Sequence, residues 1–188
     1  MSEPGKDDLK IVVYGHPALR RKARKVGRVT AEVKDLASRM VELMRASHGV
    51  GLAANQVGIP QRIAVVEVED TLTHLIDPEL VSARGAEVTD EGCLSLPRLY
   101  GSVERPTHVV VKARSLSGRT FEIEAEGLLA RALCHEIDHL NGKLFVDCAD
   151  DSTLYWVVGQ TEEGETITQP AKLEDALKVF AAARGPHA

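Results

Sequence analysis

The run Leu128-Leu129-Ala130-Arg131-Ala132-Leu133-Cys134-His135-Glu136-Ile137-Asp138-His139-Leu140 constrains this chain more than any other stretch. Its apolar spacing predicts a helix over about 126–141, with Gly142 as the stop. At about 3.6 residues per turn, His135 and His139 project from one face, one above the other. Two imidazoles held that way can take adjacent positions on one metal ion. Glu136 follows the first of them and can move a proton on a water at that ion. The apolar neighbours imply burial, and a buried His-Glu-His group is costly unless it is paired or ligated. A metal supplies that pairing.

Catalytic sites of this kind use three protein ligands and keep one position open. The best third candidate is Cys93, in Glu91-Gly92-Cys93-Leu94-Ser95, a segment that is neither clean helix nor clean strand. Alone, an isolated cysteine reads as a small buried hydrophobe. Beside a His-Glu-x-x-His helix it reads as a thiolate ligand, which binds transition metals strongly. The segment Gly49-Val50-Gly51-Leu52-Ala53-Ala54-Asn55-Gln56 breaks the helical pattern before it. Its small residues permit close backbone approach to a ligand. Gln56 is either a surface amide or a donor aimed at a substrate oxygen.

Around these segments the pattern predicts a short strand over 10–14 and a helix from Thr30 to Ser47 capped by Thr30, with Met40 and Met44 as core filler. Strands are predicted over 61–69, 72–76, 103–113 and 119–125, the last two joined at Ser117-Gly118. A second hairpin flanks Glu162-Glu163-Gly164, and a last helix covers 171–184. Strands precede the catalytic helix without strict alternation, which indicates α+β: mixed and antiparallel strands packed around a central metal-binding helix, with a C-terminal hairpin and helix. The expected organisation is a flexible tail (1–9), a catalytic domain (10–150), and the hairpin and helix (151–188) on or near that domain.

The chain has 188 residues and a net charge of −5, which argues against a general nucleic-acid or anionic-membrane binder. Arg20 to Arg28 carries six basic residues and no acidic one; a solvated surface is the expectation, RNA contact the minority reading. No run of about 18 apolar residues exists, so no membrane span is expected. Three scattered cysteines do not make a disulfide framework, which fits reducing cytoplasm. Cys134 is read as a buried thiol, Cys148 as structural, Asp138 as a group that orients a ligand or the helix, and His16, His48, His74, His108 and His187 as lacking ligand spacing.

The three segments together, in order and separation, resemble the peptide deformylase family over roughly 10–147. The stretch from Tyr14 through Pro17, Leu19-Arg20 and Ala23 is similar to that family's opening arm. The resemblance implies metal ligation by Cys93, His135 and His139, and Glu136 as general acid/base. It implies oxyanion donors in the Gln56 side-chain amide and the Leu94 backbone N–H. It assigns Gly51 to a backbone contact with the peptide, and Val50, Glu91, Leu128 and Ala132 to the methionine pocket. It also suggests an Arg105–Glu91 pair. The implied reaction is removal of formate from N-formyl-methionine of nascent chains, by hydroxide formed at the ion. Iron(II) is the expected cofactor, with zinc, nickel or cobalt as substitutes. A monomer is expected, acting on N-formyl-methionyl peptides in a bacterial-type cytoplasm, with transient ribosome contact and without DNA or membrane partners. Cys134 stands where the family often has glutamine. A zinc endopeptidase is the competing enzyme reading, but after His139 only His187 and acidic residues could complete its site.

Overall fold

The computed structural model describes residues 9–183. The expectations for residues 1–8, for Arg184 and for His187 lie outside that range. Helix α1 (Ala31–Ala46) starts where Thr30 Oγ1 accepts from Val33 N at 3.5 Å. Its buried face, including Val33, Leu36, Met40 and Met44, repeats at helical spacing. The strands β1 (Gly51–Ala53), β2 (Ile63–Val68), β3 (Thr71–Arg84), β6 (His108–Arg114) and β7 (Thr120–Glu126) form one sheet in the order β1-β2-β3-β6-β7. The strands β4 (Glu87–Cys93), β5 (Leu96–Arg105), β8 (Tyr155–Gln160) and β9 (Thr166–Pro170) form a second, ordered β4-β5-β8-β9. Every strand pairing within these sheets is antiparallel. Helices α2 (Gly127–Leu140) and α3 (Leu173–Ala183) complete an α+β fold.

Strand β2 is buried on both sides because helices cover both faces of the first sheet. Ile63 and Val65 face α1; Ala64 and Val66 face α2, together with Leu133, Ile137 and Leu140. A third cluster joins Leu96, Leu99 and Val103 of β5 to Phe145, Leu154 and Phe180. Thus α2 turns an apolar side to the first sheet, while its other side meets β4 through polar contacts: Arg131 Nη1 donates to Glu91 Oε1 (2.9 Å), and His135 Nδ1 lies 3.0 Å from Glu91 Oε2. Among the described residues, no helix is long and apolar enough to cross a membrane.

Several expectations are corrected. Residues 10–14 are not a strand; they are a tether, with Val12 N donating to Gln56 O (2.8 Å) and Tyr14 N to Ser95 O (2.9 Å). The strand expected over 103–113 is two, β5 and β6, divided at Pro106-Thr107, because proline cannot donate to a ladder. Strand β3 runs well past Ile76, its register shifting beyond Ile76 where Asp77 has φ +53°. Strand β4 was not anticipated at all.

Candidate metal centre and active site

Helix α2 and the end of β4 bring three ligand atoms together. His139 Nε2 lies 3.2 Å from both His135 Nε2 and Cys93 Sγ. The three atoms all fall within 4.8 Å of one another, and theirs is the group among the described residues that could hold an ion. One thiolate and two imidazoles form a borderline-soft donor set suited to a divalent transition metal with a fourth position open. The surroundings fit such an ion. Glu136 Oε2 is buried beside the group with no hydrogen-bond partner. Burial holds His139 well below its ordinary pKa, leaving a neutral imidazole with a lone pair to give.

Behind the ligands lies a buried ion network around Glu91. Burial alone would raise the Glu91 carboxyl, but hydrogen bonds to His135 and Arg105 outweigh it and bring it down to about 2. Ionised Glu91 therefore takes the His135 Nδ1–H, which turns Nε2 toward the sulfur and fixes the tautomer. Arg105 donates Nε to Glu91 Oε1 (2.9 Å), Nη2 to Glu91 Oε2 (3.0 Å) and Nη1 to Asp138 Oδ2 (2.6 Å). Asp138 thus acts on His135 indirectly, through Arg105 and Glu91. Cys134 faces away from the ligands and is 7% exposed, and burial pushes its thiol up to about 11.

Above the ligands opens a cavity of about 420 Å³. Glu136 reaches it from α2, and burial raises its carboxyl to about 7, where it can both accept and donate a proton near neutrality. Gly51 passes so close that a Cβ there would lie 2.4 Å from Glu136 Oε1, so backbone and carboxyl share this floor only with glycine. Gln56 is 1% exposed; its Oε1 accepts from Ala53 N (2.8 Å), which aims Nε2 at Cys93 Sγ (3.6 Å) and Ser95 Oγ (3.5 Å). That geometry excludes the surface-amide alternative. Leu94 lines the same wall, while Val50, Glu91, Leu128 and Ala132 line the rest, Val50 and Leu128 at an exposed lip.

Sequence reasoning missed several residues. Asp90, Arg98 and Tyr100 also line the cavity, as does His48, which spacing had set aside. Arg131 was not singled out, although it is a second arginine on Glu91, reaching it from α2. Asn55 Nδ2 donates to Ala18 O (3.1 Å) and Arg21 O (2.6 Å), clasping the N-terminal arm. No periodicity marks these positions; each acquires its contact from a distant segment. Cys148, read as structural, is exposed. Of the basic run, Arg20 pairs with Asp147 and Lys25 with Glu79.

The decisive comparison is with family sequence patterns: the polypeptide deformylase family model matches residues 8–154, most of the chain. The chain belongs to the polypeptide deformylase family. The peptide deformylase of Thermoanaerobacter pseudethanolicus is 48% identical over 135 residues, 72% of this chain and 85% of that one. Among solved deformylases, that of Thermotoga maritima superposes with a TM-score of 0.74 at 40% identity, covering 76% of this chain and 97% of the other. That of Legionella pneumophila gives a TM-score of 0.76 at 34% identity, covering 95% and 98%. The deformylase family match ends just before β8, so the C-terminal hairpin and α3 lie outside it.

Proposed function

We propose that this chain hydrolyses the formamide of N-formyl-methionyl peptides, releasing formate and a free amino terminus. The observation that carries this reading is the convergence of Cys93, His135 and His139 beneath a cavity lined by a buried Glu136 whose Oε2 has no hydrogen-bond partner. In this reading those three residues hold one divalent ion, iron(II) by expectation, with zinc, nickel or cobalt as substitutes. When bound, such an ion lowers the pKa of a water from ~15.7 toward ~7 and polarises a carbonyl.

The chain's own residues supply the rest. Glu136 accepts the proton of the attacking water and then delivers it to the leaving amine, so the C–N bond breaks as formate departs. The Gln56 Nε2 and the Leu94 backbone N–H donate to the formyl oxygen as it becomes negative; one such preorganised donor is typically worth about 2.7–4 kcal/mol of barrier. Val50, Glu91, Leu128 and Ala132 enclose the methionine side chain, and Gly51 presents backbone to the peptide. Strands β1 and β4 each end their sheet's order and both reach the cleft, so an extended peptide can lie along a free edge.

The catalytic unit is taken as residues 10–150, with 151–188 packed against it. It works as a monomer in a bacterial-type cytoplasm, meeting formylated chains through transient contact with the ribosome. The test is formate release from formyl-Met-Ala-Ser by the metal-loaded protein and by Glu136→Ala of matched metal content. Turnover is expected from the first and a loss of at least about 100-fold from the second; equal turnover by both would remove Glu136 from its role.

A further inference from the structure

A local irregularity beside Cys93 bears on which peptides are preferred, and it rests on the deformylase reading. Strands β4 and β5 pair Gly92 with Tyr100 and Cys93 with Leu96. Pro97, Arg98 and Leu99 therefore have no counterpart on β4. Such bulges re-aim side chains next to sites. Leu99 turns into the core and is fully buried, whereas Arg98 stands exposed at the cavity mouth. Its φ is +68°, a left-handed conformation that a residue with a Cβ holds only when its surroundings impose it.

The C-terminal hairpin imposes it. Arg98 Nε donates to Val157 O of β8 at 2.8 Å. Tyr155 of the same strand stacks on Tyr100, with ring centroids 5.7 Å apart and planes 15° from parallel, and donates to Asp90 Oδ2 at 2.9 Å. Asp90 Oδ1 is taken by Ser102 Oγ at 2.8 Å. Asp90, which lines the same cavity, is thus held by two hydroxyls on its own side of the rim and makes no ion pair with Arg98 among the described residues. Among the described residues Arg98 makes no ion pair, so an exposed guanidinium held at Nε keeps its terminal nitrogens without an acidic partner at a position that lines the cavity.

A planar fork of uncommitted N–H donors selects a carboxylate. We propose that Arg98 is a specificity-determining residue, pairing with an Asp or Glu side chain carried one or two residues beyond the formyl-methionine. The hairpin is then part of the substrate rim as well as of the core, where Trp156 packs against Phe180.

The experiment measures kcat/KM of the metal-loaded protein on amidated peptides formyl-Met-X-Ala and formyl-Met-Ala-X, with X as Glu, Gln or Lys, at low and high salt. An exposed pair of this kind predicts a Glu-over-Lys preference of about three- to tenfold in one series, flattened by salt. The preference should fall to near unity in Arg98→Gln and invert in Arg98→Glu; a general loosening of the fold would lower all rates without inverting the order. A wild-type ratio near unity in both series overturns the proposal. So does a preference for Lys, or an unchanged Glu preference in Arg98→Gln. If the wild type releases formate from none of these peptides or from formyl-Met-Ala-Ser, the deformylase reading itself fails and takes the proposal with it.

Discussion

Replacing Arg105 by Met removes a cation from between two carboxylates that the fold has largely taken out of water. The Arg105 side chain is 8% exposed, Glu91 5% and Asp138 19%. Breaking a buried pair by deleting one partner typically costs about 3–5 kcal/mol, because a charge is left uncompensated. Two observations place this case at the lower end. Glu91 keeps Arg131 and His135, and Asp138 is exposed enough to recover water. We therefore expect about 3 kcal/mol, or a Tm lower by about 6–12 °C for a domain of this size. Adding Asp138→Asn to Arg105→Met should recover part of the loss, with a coupling of at least about 0.5 kcal/mol between the two sites. The assay is urea unfolding at fixed free metal, since an ion bound only by the folded state adds to stability. Because Arg105 steadies the carboxylate that orients His135, metal affinity should also fall, by about 10- to 100-fold. If Arg105→Met unfolds within about 1 kcal/mol of the parent and binds metal equally, the network does not hold the site in the way described.

Three further outcomes are expected. Gly51→Ala should stay folded but lose about 100-fold in kcat/KM, because its Cβ displaces the Glu136 carboxyl; steady-state kinetics beside a thermal melt checks this. Burial opposes but the Arg20 and Leu144 hydrogen bonds prevail in holding Asp147 below the usual carboxylate range. Its pairing thus contributes stability that is present above the unfolded pKa near 3.8 and lost as pH falls below it toward the lowered folded value, so Asp147→Asn should flatten the acid limb of a urea-midpoint profile below about pH 3.8. Iron-loaded protein should lose formate-releasing activity in air faster than zinc-loaded protein, since an iron(II) centre with a thiolate ligand is open to oxidation; equal half-lives would contradict an iron–thiolate centre.

What the sequence disclosed depended on whether a signal was local. Helix α1 announced itself through the Thr30 cap and its apolar spacing, α2 through the two histidines, and the β6–β7 hairpin through Ser117-Gly118, where Gly118 takes φ +82°. Strand β4 was hidden because its residues are mostly half-exposed or exposed and polar, and it lies at an edge, with no alternation to detect. The arm over 10–14 carries apolar residues typical of a strand, yet it bonds to two separate partners and joins no ladder. No spacing rule links Cys93 to a helix some forty residues onward; the need for a third ligand beside the two histidines singled it out, and the fold brings the two together. The brace between Arg98 and Val157 was equally silent, because both ends are unremarkable until the hairpin folds over β5.

The two-sidedness of α2 limits how the chain can change in length. Its apolar side locks the helix in one rotation against the first sheet, and each added residue advances that rotation by about 100°. A single insertion between Gly127 and His135 would swing both imidazoles away from Cys93 and drive them into hydrocarbon. The Thr161–Glu165 turn between β8 and β9 is exposed at its centre and, among the described residues, hydrogen-bonded only within itself, so it can lengthen or shorten freely. Drift in this chain is therefore expected to accumulate as substitutions within α2 and as gaps in that distal turn.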